Sequence, residues 1–243
     1  MRGKGRLTRS EKDGLLNFLG YGNPKSPIWF LGMEEKLPVK FTAVLKEFKI
    51  RAKFEPIMDL YDAHCLLGRC VEKMEKISQV WLWMAKLVRG LNELSTDWKS
   101  HGKAVTYVKR ERQFGSKDGK TFLVELSPVP SASRSECGWT DDHRRNFGER
   151  KQFESRSNQR RRKIVKKLLQ KYKPKYLFAY GKENWQEYYK IIGLKESELA
   201  TISETRNRIR IGHWRGITIV LLPFPGNGCF GERDAKRLLA KIK

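Results

Sequence analysis

"SPIWFLGMEE", residues 26–35, runs from an unbroken apolar stretch into a glycine and then two adjacent carboxylates. Strict alternation would mark a strand with one wet face, whereas an apolar run between Pro27 and Gly32 predicts a strand buried on both faces. Strands of that kind belong to parallel sheets covered by helices, where ligands bind beyond the carboxyl ends. Glu34 and Glu35 are therefore expected at the mouth of a site.

Working outward, "TFLVEL" (121–126) reads as a second strand, stopped by the breaker-rich "SPVPSAS" (127–133). "KYLFAYG" (175–181) reads as a third, followed by the helix "KENWQEYYKII" (182–192). "RNRIRIGHW" (206–214) and "GITIVLLPFPG" (216–226) suggest two more around a tight Arg215-Gly216 turn, before a closing helix, "ERDAKRLLAKI" (232–242). Helices are also expected over 37–50, 55–68 and 71–94, and a polar loop with a small hairpin at "SKDGK" precedes the second strand. The fold class is α/β: a three-layer α/β/α sandwich around a mainly parallel sheet, in one domain spanning 1–243.

The charge is lopsided. The 243 residues contain 51 Lys or Arg against 27 Asp or Glu, a net +24. From Arg144 to Lys175 there are fourteen cations and two acids, half of that excess. Like charges so concentrated repel one another and call for a polyanion, so the segment from about 131 to 172 is expected to hold DNA through Arg144, Arg145, Arg160, Arg161, Arg162, Lys163, Lys166 and Lys167. The first dozen residues read as a mobile basic arm. No apolar run approaches the length of a spanning helix and no leader pattern opens the chain, which reads as soluble and intracellular without a membrane partner. Cys65, Cys70, Cys137 and Cys229 lack close C-x-x-C pairing, which favours reduced thiols over a disulfide framework or an iron–sulfur cluster.

Three strand ends, "FLGMEE", "ELSPVPS" and "LLPFPGNG", together with "KPKYLFAYGKENW", resemble in order and spacing the uracil-DNA glycosylase superfamily. The resemblance covers most of residues 27–242. It implies a fold of that type and a monofunctional glycosylase that flips a base from double-stranded DNA and hydrolyses its bond to deoxyribose, as a monomer, with no metal or organic cofactor. Glu34, at the third place of the Gly-x-polar motif, or Glu35 would stabilise the cationic sugar and orient water. Glu125 and Ser127 would read the base, with Phe224 and Asn227 in the last loop and Phe230 as a wedge in the opened stack.

Departures from the family pattern redirect the expected substrate. Glu35 stands where proline is common, Glu125 and Ser127 where asparagine pairs with uracil, and Phe224 where histidine is common. A carboxylate accepts hydrogen bonds from the N4 amine of cytosine but meets an acceptor at the O4 of uracil. The resemblance extends to glycosylases that defend bacteria by excising glucosylated hydroxymethylcytosine, so a modified cytosine of bacteriophage DNA is the expected base, in the nucleoid-bearing cytoplasm. Uracil repair and non-catalytic nucleic-acid binding are the alternatives. His64 reads as a structural histidine with no role.

Overall fold

The computed structural model describes residues 5–33, 35–37, 44–92, 96–133, 135–202, 205, 208–226 and 228–243. Glu34 and Asn227 lie outside the described residues. The strands are β1 (Gly20–Gly22), β2 (Ile28–Gly32), β3 (Ile57–Met58), β4 (Thr121–Glu125), β5 (Tyr176–Tyr180), β6 (Ala200–Ile202), β7 (Ile209–Trp214) and β8 (Ile217–Leu222). Among the described residues they form an eight-stranded sheet in the order β3-β1-β4-β2-β5-β8-β7-β6. The central four, β4-β2-β5-β8, are parallel, while β1, β6 and β7 attach by antiparallel pairings.

Period-two geometry explains why the central strands read as continuous apolar runs. Along β2, Ile28 and Phe30 join one buried cluster and Trp29 and Leu31 the other, and β5 and β8 alternate in the same way. On the first face lie α3 (Leu60–Leu66), α4 (Gln79–Asn92), α5 (His101–Lys109) and α9 (Glu232–Ile242); on the second lie α7 (Arg150–Tyr172) and α8 (Trp185–Ile192). The result is an α/β/α sandwich. A third cluster, with Phe48, Trp139, Phe147 and Phe153, joins α1 (Arg9–Asn17), α2 (Val44–Arg51), α6 (Asp141–Phe147) and α7. Truncating a fully buried ring such as Phe30 to alanine would cost about 3–5 kcal/mol. Among the described residues, no helix is long and apolar enough to cross a membrane.

Several expectations are corrected. The arm is docked from Leu7 onward: Leu7 is buried and donates its N–H to Asn146 Oδ1 at 2.7 Å, and Thr8 caps α1 through a reciprocal box with Glu11. The helix expected over 71–94 breaks into a 3-10 turn (Val71–Lys73) and α4, because the Ser78 hydroxyl accepts the Trp81 N–H and starts a new helix. "SKDGK" forms a turn without flanking strands of its own, and the preceding loop contains α5. Cys65 and Cys70 are joined in a disulfide, since α3 ends at Leu66 and Gly68, at φ +74°, turns the chain back on itself. Cys137 and Cys229 take part in no disulfide.

Candidate functional site

The carboxyl ends of β2, β4, β5 and β8 converge on a cavity of about 570 Å³, lined among others by Glu35, His64, Trp81, Glu125, Tyr180 and Phe224. Two loops zip together to place the first of these. Ser127 N–H donates to Met33 O at 2.5 Å, Ser131 N–H to Glu35 O at 3.1 Å and Leu37 N–H to Ser131 O at 2.9 Å, so the segment after β2 follows the segment after β4. The chain near Glu35 is thereby fixed by main-chain bonds.

Glu35 is largely buried and fully engaged. Arg51 meets it with two nitrogens, at 2.8 and 2.9 Å, and the Tyr21 hydroxyl donates to it at 2.5 Å. Burial alone would raise its pKa; the Arg51 guanidinium, together with the Tyr21 bond, outweighs that and brings it down to about 2. The Glu35 carboxylate is ionised at every physiological pH. Arg51 also pairs with Glu47 at 2.9 Å, one helical turn earlier on α2, and Glu47 pairs with Arg69 at 2.9 Å on the cavity wall. Alternating charges thus run from Arg69 through Glu47 and Arg51 to Glu35.

His64 stands next to the end of that chain, its Nε2 3.6 Å from Glu35 Oε1. The imidazole is 4% exposed, has Trp81 edge-on at 5.2 Å, and makes no hydrogen bond through either ring nitrogen among the described residues. Burial lowers its pKa to about 4 despite the Glu35 charge, so the ring is neutral at pH 7 and its contact with Glu35 is not an ion pair there. A neutral imidazole beside an oriented carboxylate is equipped to accept a proton from water or donate one to a leaving base.

Glu125 closes the other side. The Tyr180 hydroxyl lies 3.4 Å from Glu125 Oε1, and burial, reinforced by the Glu125 charge, holds that phenol well above its usual pKa. Gly32 makes this approach possible: a Cβ there would fall on the Tyr180 hydroxyl and the Glu125 carboxylate. Phe224, 39% exposed, faces Tyr180 with ring centres 6.4 Å apart, and a Cβ on Gly226 would come within 2.5 Å of its ring. Exposed Lys36 and Lys76 and partly buried Arg69 add positive charge around carboxylates set deeper in the cavity. Among the described residues no cluster of His, Cys, Asp or Glu is placed to hold a metal ion.

The expected site residues therefore divide. Glu35, Glu125 and Phe224 come together. Ser127 is buried, spends its hydroxyl on Val129 O at 3.2 Å and does not line the cavity. Phe230 is corrected from wedge to core: it is 2% exposed and meets Trp83 edge-on at 5.2 Å. Arg161 is corrected as well, because it is 1% exposed and its guanidinium donates to Phe18 O at 2.6 Å and Glu125 O at 2.5 Å instead of reaching solvent. Arg162 is partly buried against Glu187 at 3.6 Å, and Arg144 and Arg145 have Asp141 and Asp142 within 3.4 and 3.7 Å. Arg160, Lys163 and Lys167 are exposed and Lys166 is partly so.

Sequence reasoning passed over Arg51, Tyr21 and Tyr180 and gave His64 no role. One signal was present: His64 falls on the same helical face as Leu60 and Tyr61, a polar ring in an apolar stripe. No protein-family model matches this chain, and no curated protein matches it in sequence.

Proposed function

We propose that this chain is a monofunctional DNA glycosylase that draws a modified cytosine out of the duplex and hydrolyses its N-glycosidic bond. One observation carries the reading: Glu125, Tyr180, Phe224 and the His64–Glu35 pair converge in a single cavity rimmed by cations. Phosphates of an opened strand suit the rim, aromatic rings suit the faces of a flipped base, and a carboxylate suits an exocyclic amine. The volume lies within the range of sites that enclose small organic groups.

In this reaction the C1′–N1 bond breaks, its electron pair leaves with the base, and water adds to C1′ while losing a proton. Glu35, ionised and held by Arg51, favours the protonated form of the adjacent His64 as His64 takes the proton from water. Glu34, at the third place of the Gly-x-polar motif, keeps the role of stabilising the sugar cation. The enzyme works as a monomer on double-stranded DNA in the nucleoid-bearing cytoplasm, and its substrate assigns it to defence against phage.

The test is to incubate the protein separately with unmodified DNA, uracil-containing DNA and phage DNA bearing hydroxymethylated or glucosylated cytosine, then to count abasic sites. Abasic sites are expected in the phage DNA and should fall sharply with Glu34→Gln or His64→Gln while DNA affinity holds. Release of uracil with none from modified DNA overturns the substrate. A second reading, a non-catalytic DNA-binding protein, is favoured by the Arg51–Glu35 pair, which removes one carboxylate charge from the chemistry; tight binding with no abasic sites on any DNA would establish it.

A further inference from the structure

A second cavity, of about 330 Å³, opens among α1, α6 and α7. Leu16, Phe147 and Phe153 give it apolar walls, with the two phenylalanine rings 5.3 Å apart, and Lys12, Arg156 and Arg160 add three cations. Among the described residues none of these cations is paired with a carboxylate: Arg160 donates to the Asn17 side-chain amide oxygen at 3.2 Å and Arg156 to Gln152 O at 3.3 Å. Arg161 also lines the cavity, and its Nε, buried with the rest of the side chain, has no hydrogen-bond partner among the described residues.

Guanidinium groups without carboxylate partners beside two tilted aromatic rings select a ligand with an anionic end and a flat apolar body. Guanidinium forks match phosphate oxygens in pairs, and the volume admits a unit the size of one nucleotide but not a long acyl chain. We infer that this cavity binds a nucleoside 5′-monophosphate unit, its phosphate on Arg156, Arg160 and Lys12 and its base against Phe147 and Phe153. The unit comes either from a bound nucleic-acid strand or from a free nucleotide. Arg161 connects it to the first cavity, since the same guanidinium holds the main-chain oxygen of Glu125. The inference does not depend on base excision.

The experiment titrates the full chain with dCMP, dAMP and inorganic phosphate by calorimetry, and repeats it with Arg156→Gln/Arg160→Gln and with Lys236→Gln/Lys241→Gln, exposed on α9 across the sheet, a control of equal charge loss. Both nucleotides should bind more tightly than phosphate, and the Arg156/Arg160 variant should weaken them by about tenfold or more while the control changes little. Leu16→Ser, at a partly exposed position, should weaken the nucleotides and leave phosphate alone. Competition with a labelled oligonucleotide then names the source: displacement by dCMP identifies a strand nucleotide, and simultaneous binding identifies a free one. Absence of saturable nucleotide binding, or binding equal in all variants, overturns the inference. So does weaker oligonucleotide binding in the Arg156/Arg160 variant without nucleotide binding, which would reduce the cavity to a phosphate contact.

Discussion

Arg51 grips Glu35 with two nitrogens at 2.8 and 2.9 Å, and both side chains are largely withdrawn from water. Removing one partner of such a pair strands a charge, so Arg51→Met should destabilise the fold by about 3–5 kcal/mol. Arg51→Met combined with Glu35→Gln should cost less than Arg51→Met alone. Urea denaturation of the two variants decides this, and equal losses would mean that the pair is not a buried charge couple.

Acid should destabilise the protein in two stages. Burial pushes His64 from 6.5 down to about 4, so between those values the unfolded chain binds a proton that the folded chain refuses. Stability therefore falls as pH falls through this window, by about 2 kcal/mol between pH 7 and pH 5. Glu35, depressed from 4.5 to about 2, contributes stability above pH 4.5 that is lost between 4.5 and 2. His64→Gln should shrink the first stage to the part that buried His143, lowered by its own desolvation, contributes, and leave the second, as read from thermal midpoints across pH.

Gly32→Ala tests the narrow approach between β2, Tyr180 and Glu125. The added methyl should cost about 1–3 kcal/mol and disturb the Tyr180–Glu125 contact, abolishing the proposed base excision in a chain that still folds. Gly102→Ala, at an exposed place in α5 where a Cβ meets nothing within 4 Å, serves as control and should leave both properties intact. Circular dichroism and abasic-site counts report the two.

The cations of α7 should separate by exposure. Neutralising Lys163, Lys166 and Lys167 should flatten the plot of log affinity against log salt by roughly 2–3 units. Arg161→Gln should leave that slope unchanged and instead lower stability by about 3 kcal/mol, because three main-chain oxygens each lose a charged donor. A slope change from Arg161 would place it among the phosphate contacts after all.

The parallel centre of the sheet was legible because its strands are apolar on both faces, and the β7–β8 hairpin because Arg215-Gly216 interrupts two β-rich runs. The added strands were not: β1 is Gly-Tyr-Gly and β3 has two residues, too short for any period to show. Glu35, Glu125 and Phe224 were legible as strand ends. Their partners were not, since Tyr21, Arg51 and His64 come from β1, α2 and α3 and reach Glu35 only when the sheet and its helices assemble. The basic run was legible as charge, but composition does not tell which cations a helix turns inward, and Arg161 is one that it does.

Among the described residues both margins of the sheet are short, two residues in β3 and three in β6. A long outer strand would offer another chain a template for pairing, and these offer only two or three rungs. Crowded solutions of this protein should therefore resist edge-to-edge fibre growth, with the central strands screened behind margins too brief to recruit a neighbour.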